Sequence, residues 1–153
     1  MSANRLKWLR VTVITLLIVL VAQFEFGMAV NLSDLPSLSP FGFSVPAVLG
    51  ALQQAGVAAV IHAGMGTLLM VIDLAGLVMA LQSRIRPVQI FGGLGFLSVV
   101  LAGFNGVLFT LSGFQDDHFS HGMASMFIVT FACHFLELYF LKPAPRAQAG
   151  AES

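Results

Sequence analysis

The chain has 153 residues, of which 58% are hydrophobic and 9% charged, with a mean hydropathy of +0.92 and a formal net charge of zero. A soluble domain is nearer to about 45–50% apolar and about 25% charged, so these values exclude a water-soluble globule and point to one integral membrane bundle. The single cysteine, Cys133, excludes an intramolecular disulfide and a C-x-x-C redox pair. Without a nucleophile elbow, a phosphate-binding glycine loop or an exposed basic domain, hydrolase, kinase and nucleic-acid-binding functions have no support.

Residues 1–10 carry Arg5, Lys7 and Arg10 and no acid, and the run from Val11 to Val30 is apolar apart from Gln23 and Glu25. That core is longer than the apolar stretch of a signal peptide, and no A-x-A site follows it. It is expected to be a retained first span at about 8–30. Residues 31–45, with Pro36 and Pro40, are expected to form a loop with an interfacial turn around Phe41 and Phe43. Pro46 suits the first position of a helix, but Gln53 and Gln54 place the membrane proper from Val57, giving a second span at 57–82. Ser83 to Pro87 is a short turn. The third span, 88–112, is rich in glycine (Gly92, Gly93, Gly95, Gly103, Gly106), and Gly113 to Asp117 forms the next loop. The fourth span, 118–141, stops before Pro143, and residues 144–153 form a small, polar tail expected to be disordered. The expected fold is all-α, an integral membrane four-helix bundle over 1–143 in up-down-up-down order.

With four spans, Arg5, Lys7, Arg10, Arg84, Arg86, Lys142 and Arg146, all seven basic residues, fall on one side, while Asp34, Asp116 and Asp117 fall on the other. Three or five spans would divide the basic residues between both faces. The positive-inside rule then puts both termini in the cytoplasm, and the expected location is a bacterial inner membrane.

Ionisable side chains at membrane depth are costly, and their default reading is functional. His62 and His121 each lie 20 residues before the end of their predicted spans, on helices that run in the same direction. Both are within roughly 5–10 Å of the outer helix ends. Matched depth is what two axial ligands of one haem b require, with neutral imidazoles on the iron. Gly66 and Gly122 would leave space for a macrocycle, as would the row Ala55, Ala59, Ala63 and Thr67, although small residues are equally the ordinary contact of membrane helices. His118, one turn before His121, is a substitute ligand or an interfacial residue. His134 is rotated about 220° from His121 and lies about 20 Å deeper, so it belongs to another face and one haem is expected, not two. Glu25 is a candidate to orient a ligand imidazole. Asp73 returns to the His62 face about 16 Å deeper, where His134 or Asn105 could meet it. Glu137 is one turn after His134 and reads more readily as a structural partner. Met65, Met70, Met123 and Met126 fill the core near the proposed site.

The pattern His62-x-x-x-Gly66, followed by His121-Gly122-x-Ala124 and His134, resembles a family of small, uncharacterised bacterial four-helix membrane proteins. More distantly it resembles one half of a haem A synthase or the four-helix haem bundle of b-type cytochromes. The resemblance spans roughly residues 57–141 and implies a haem held by His62 and His121. The chain departs from haem A synthase in having one four-helix half, and in Ala63 where that family typically has arginine.

Three functions follow as expectations. The first is a small cytochrome b-like protein that passes electrons between a quinol or redox protein and a partner on the outer side. The second is a non-catalytic accessory subunit without cofactor, in a homo-oligomer or larger membrane complex. The third is a proton-conducting or transport protein that uses Asp73, His134 and Glu137.

Overall fold

The computed structural model describes residues 3–32 and 42–141. The expected turn around Phe41 and the expected disordered tail at 144–153 fall outside the described residues. Five helices follow in order: α1 (Ala3–Asn31), α2 (Val45–Ala55), α3 (Val57–Gln82), α4 (Arg86–Leu111) and α5 (Asp117–Phe140), with no strand among the described residues. All but α2 are long and apolar enough to cross a membrane. Large apolar side chains are exposed on every one of the four, among them Ile18, Leu68, Leu97 and Ile128. In water such a surface would aggregate; in lipid it is the solvated face. The chain is a multi-pass, all-α membrane bundle.

Local chemistry sets the helix ends. Ser44 caps α2 by accepting the Ala47 N–H at 3.3 Å, and Pro46 occupies the first turn, where its missing N–H costs nothing. Gly56 then takes φ 99°, a conformation that favours glycine, and separates α2 from α3. The segment before Val57 is thus a distinct short helix that packs against α3 and α4, rather than a leading extension of the second span. Asp116 caps α5 by accepting the His118 N–H at 3.0 Å, and Asp117 places a negative charge in its first turn.

The contacts define an antiparallel ring. Thr12 and Leu16 meet Gly76, and Gln23 meets Gly66, so α1 opposes α3. Ala80 meets Gly92 and Met70 meets Gly103, so α3 opposes α4. Gly92 meets Glu137 and Gly106 meets Met123, so α4 opposes α5. Asn31 bonds Ser120, and Phe24 stacks on Phe127 with ring centroids 5.0 Å apart, so α5 closes back onto α1. The ring order α1–α3–α4–α5 leaves α3 and α5 parallel to each other across the diagonal.

The core is stacked in levels. At the end that holds the α1 start, Leu9, Val13, Ala80, Val88 and Leu141 form one apolar cluster. Further along, Leu16, Leu20, Leu69 and Val99 form a second, with Phe127 packed against it. Polar residues within the helices satisfy themselves locally: Thr67, Ser98, Asn105, Thr110 and Thr130 each donate to the carbonyl four residues earlier, at 2.8–2.9 Å.

Candidate functional site

Between the two apolar clusters lie Asp73 of α3 and His134 and Glu137 of α5, each 1% exposed. His134 and Glu137 are three residues apart and therefore neighbours on one helix face. His134 Nδ1 is 3.0 Å from Glu137 Oε2. Its other ring nitrogen, Nε2, faces Asp73 Oδ1 at 3.3 Å, an ion-pair distance without the alignment of a hydrogen bond. One imidazole thus bridges two carboxyl groups and spans the diagonal that separates α3 from α5.

Glycine makes room for the cluster. A Cβ at Gly95 would lie 2.8 Å from His134 Cε1, and one at Gly92 would lie 3.2 Å from Glu137 Oε1. The α4 backbone therefore closes directly over the imidazole and carboxyl. Thr130 is buried one turn before His134, and Ser98 one turn after Gly95. Cys133 is buried beside His134 as a free thiol.

Proton counting constrains the cluster. A neutral imidazole has one N–H, so it cannot donate to Glu137 and Asp73 together. A proton lies between each ring nitrogen and its carboxyl only if one further proton is present, on the ring or on a carboxyl. The cluster then has a net charge of −1, and one more proton makes it neutral. Asp73 Oδ1 and Oδ2 and Glu137 Oε1 are buried with no hydrogen-bond partner among the described residues, so three acceptors remain open to a proton.

The outer histidines lie elsewhere. His62 is half-buried, and its ring is turned to α1. Gln23 Nε2 is 3.3 Å from His62 Nε2 and donates to the His62 carbonyl at 3.0 Å. Gly27 lies under the ring, where a Cβ would come within 2.9 Å of Cε1. His121 and His118 are both exposed on α5. Matched depth therefore does not bring the imidazoles of His62 and His121 into a shared contact: one packs on α1 and the other points outward. The spaces expected beside Gly66 and Gly122 are filled by amides, with Gln23 Nε2 3.1 Å from a Cβ at Gly66 and Asn105 Oδ1 2.5 Å from a Cβ at Gly122.

Glu25 is exposed, and the α1 side chain that reaches His62 is Gln23. The reason is rotation: two residues turn a helix by about 200°, so Gln23 and Gly27 share the face toward α3 while Glu25 points away. Sequence reasoning passed over Gln23, although its spacing of four from Gly27 marks a common face. Glu137, expected on the His134 face as a structural partner, contacts that ring at 3.0 Å. Of the two partners suggested for Asp73, the structure places His134 there. Among the described residues, no group of three or more His, Cys, Asp and Glu side chains has the arrangement of a metal site.

No protein-family model, curated protein or solved structure matches the chain.

Proposed function

We propose that this protein binds and exchanges protons inside the membrane, through Asp73, His134 and Glu137. The observation that carries this reading is the bridge itself: three titratable side chains, each 1% exposed, joined through the two nitrogens of one imidazole. Ionisable groups at membrane depth face the interior, pair with one another and mark proton relays. Glu137 lies four residues before Leu141, about 6 Å from that end of the bundle by helical rise. Asp73 lies nine residues before Gln82, about 14 Å in. A proton taken up at Glu137 passes to His134 Nδ1 while the Nε2 proton moves to Asp73, which carries charge inward without displacing a helix. The Leu16, Leu20, Leu69 and Val99 layer closes the far side, so the cluster acts as a proton store opened by movement rather than as a continuous channel. The positive-inside distribution supports a reading in which the basic end, and with it Glu137, faces the cytoplasm.

The test is pH-difference infrared spectroscopy of the protein in liposomes. A protonated-carboxyl band that titrates in the wild type and is lost in Asp73→Asn or Glu137→Gln supports the proposal. A carboxyl region unchanged across pH, with identical spectra in both variants, would overturn it.

A second reading keeps one haem b on His62 and His121, with a quinol or redox protein as partner. The observation in its favour is that His62 Nδ1 is buried with no hydrogen-bond partner among the described residues. Visible spectra of protein purified from haem-supplied cells decide it. A sharp Soret band with resolved α and β bands on reduction, lost in His62→Ala and His121→Ala, is the expected result. A colourless protein would remove the haem.

A further inference from the structure

One stripe of α1 runs along α5 from the basic end of the bundle. Asn31 bonds Ser120 and Phe24 stacks on Phe127, a step of seven residues on each helix in opposite directions. The same register puts Leu17 level with His134 and Arg10 level with Leu141. Steps of seven return to nearly the same helix face, so Arg10, Leu17 and Phe24 all lie on the α5 side of α1. Between Arg10 and the Phe24–Phe127 stack, the two helices are parted by a groove of about 390 Å³. It is lined by Ile14, Leu17, Ile18 and Val21 of α1 and by Phe131 and Leu138 of α5. Ile14, Ile18 and Val21 are exposed, so the groove opens to the lipid.

The lining selects the occupant. Where helices of this bundle approach closely, one side offers glycine: Gly27 against His62, Gly95 against His134, Gly106 against Met123. The groove presents only branched and aromatic side chains, which hold a further helix backbone at a distance and leave a slot for a flexible chain. From Arg10 to Val21 it extends about 17 Å by helical rise. One leaflet of the hydrocarbon is about 15 Å deep. The mouth at the basic end carries a charge. Arg10 is half-buried there and is in no ion pair among the described residues. Asp73 and Glu137 are buried against His134, and Glu25, Asp116 and Asp117 lie toward the opposite end. Trp8, 60% exposed, supplies the amphipathic ring common at the headgroup level.

We infer that the groove between α1 and α5 holds one acyl chain of an anionic phospholipid, whose phosphate is bound by Arg10 at the basic end. A guanidinium presents paired N–H donors that match phosphate oxygens. A zwitterionic headgroup carries its own cation beside the phosphate, so Arg10 favours the anionic lipid. The chain runs past Ile14, Leu17 and Ile18 and stops at the Phe24–Phe127 stack. The site is independent of the proton-exchanging cluster, whose side chains are buried in the interior.

The experiment titrates the full chain, purified in detergent, with phosphatidylglycerol or phosphatidylcholine whose acyl chains are brominated near the middle, and reads tryptophan quenching. Trp8→Phe removes the only native tryptophan. Ile18→Trp then reports on the rim of the groove, and Leu101→Trp on the exposed face of α4. The two are nearly level, because Leu16, Leu20 and Val99 share one core layer. The expected result is quenching of Ile18→Trp by phosphatidylglycerol at concentrations where phosphatidylcholine has no effect and Leu101→Trp stays bright. Arg10→Gln in the Ile18→Trp background should weaken phosphatidylglycerol roughly fivefold and leave phosphatidylcholine unchanged. Should Arg10→Gln fail to fold, the comparison of the two reporters and the two lipids decides alone. Equal quenching at both positions would describe ordinary surrounding lipid and overturn the assignment. So would equal quenching by the two lipids, or an unchanged preference in folded Arg10→Gln. An Ile18→Trp reporter that no lipid quenches, in a chain that sediments as a dimer, would give the groove to a second copy instead.

Discussion

Gly95 of α4 and His134 of α5 are packed so closely that a Cβ on residue 95 would lie 2.8 Å from His134 Cε1 and 2.9 Å from Nε2. The ring has little freedom to yield, because Glu137 holds one nitrogen and Asp73 faces the other. Gly95→Ala should destabilise the bundle by about 1–3 kcal/mol through overpacking. Gly93 has no heavy atom within 4 Å of a Cβ, so Gly93→Ala should be near neutral. Unfolding in mixed micelles gives both values, and equal costs would mean that α4 does not close over the imidazole.

Removing the three polar groups of the cluster together should cost less than their separate removals add up to. Asp73→Leu or Glu137→Leu leaves a buried imidazole facing an apolar group, a loss of about 3 kcal/mol or more by analogy with broken buried pairs. Replacing Asp73, His134 and Glu137 together with apolar residues of similar volume should cost less than the sum of the single changes. Strict additivity in the same assay would separate the three side chains energetically and contradict their contacts.

Gln23 and Glu25 should behave oppositely despite their proximity in sequence. Gln23 donates to the His62 carbonyl and meets its ring, so Gln23→Ala should cost about 1–2 kcal/mol. Glu25 is exposed, and Glu25→Gln should fall within about 0.5 kcal/mol of wild type. A larger loss at Glu25 would show that its face of α1 is buried by a partner.

The ring order can be tested by cross-linking. Asn31 and Ser120 hydrogen-bond at 3.1 Å between α1 and α5, so cysteines at both positions should join through a short bifunctional thiol reagent. The experiment is done with Cys133 replaced by alanine to leave only the two new thiols. A cysteine at Asn31 paired with one at Leu81, which lies toward the basic end of the antiparallel α3, should give no product. The reverse pattern would require a different arrangement of the helices.

Much of this architecture was legible in the sequence. The spans expected at 57–82, 88–112 and 118–141 agree with α3, α4 and α5 to within two residues at each end. The rotation of about 220° put His121 and His134 on different faces, but the interior face was assigned to His121, whereas His134 is buried and His121 exposed. The helix before Gly56 was less legible, because an amphipathic segment beside a span shares its composition. The partner of His62 was misplaced by one face of α1: depth along a helix follows from counting, but facing depends on how the helix is turned. His62 and His121 illustrate this most plainly, being level on parallel helices while one packs against α1 and the other is exposed.

By itself, the sequence determined the number of long helices, their lengths and their alternation. In lipid every backbone N–H and C=O must be satisfied within its own segment, and the thickness of the hydrocarbon sets how many residues that takes. Both conditions are local and can be read from a run of apolar residues. Only the tertiary structure decided that Asp73, His134 and Glu137 meet, and that Gly92 and Gly95 make room for them. These helices are apolar on nearly every side, so hydrophobic patterning says little about which stripe faces inward. Close packing and polar contact between helices make that choice, and both depend on residues distant in the chain.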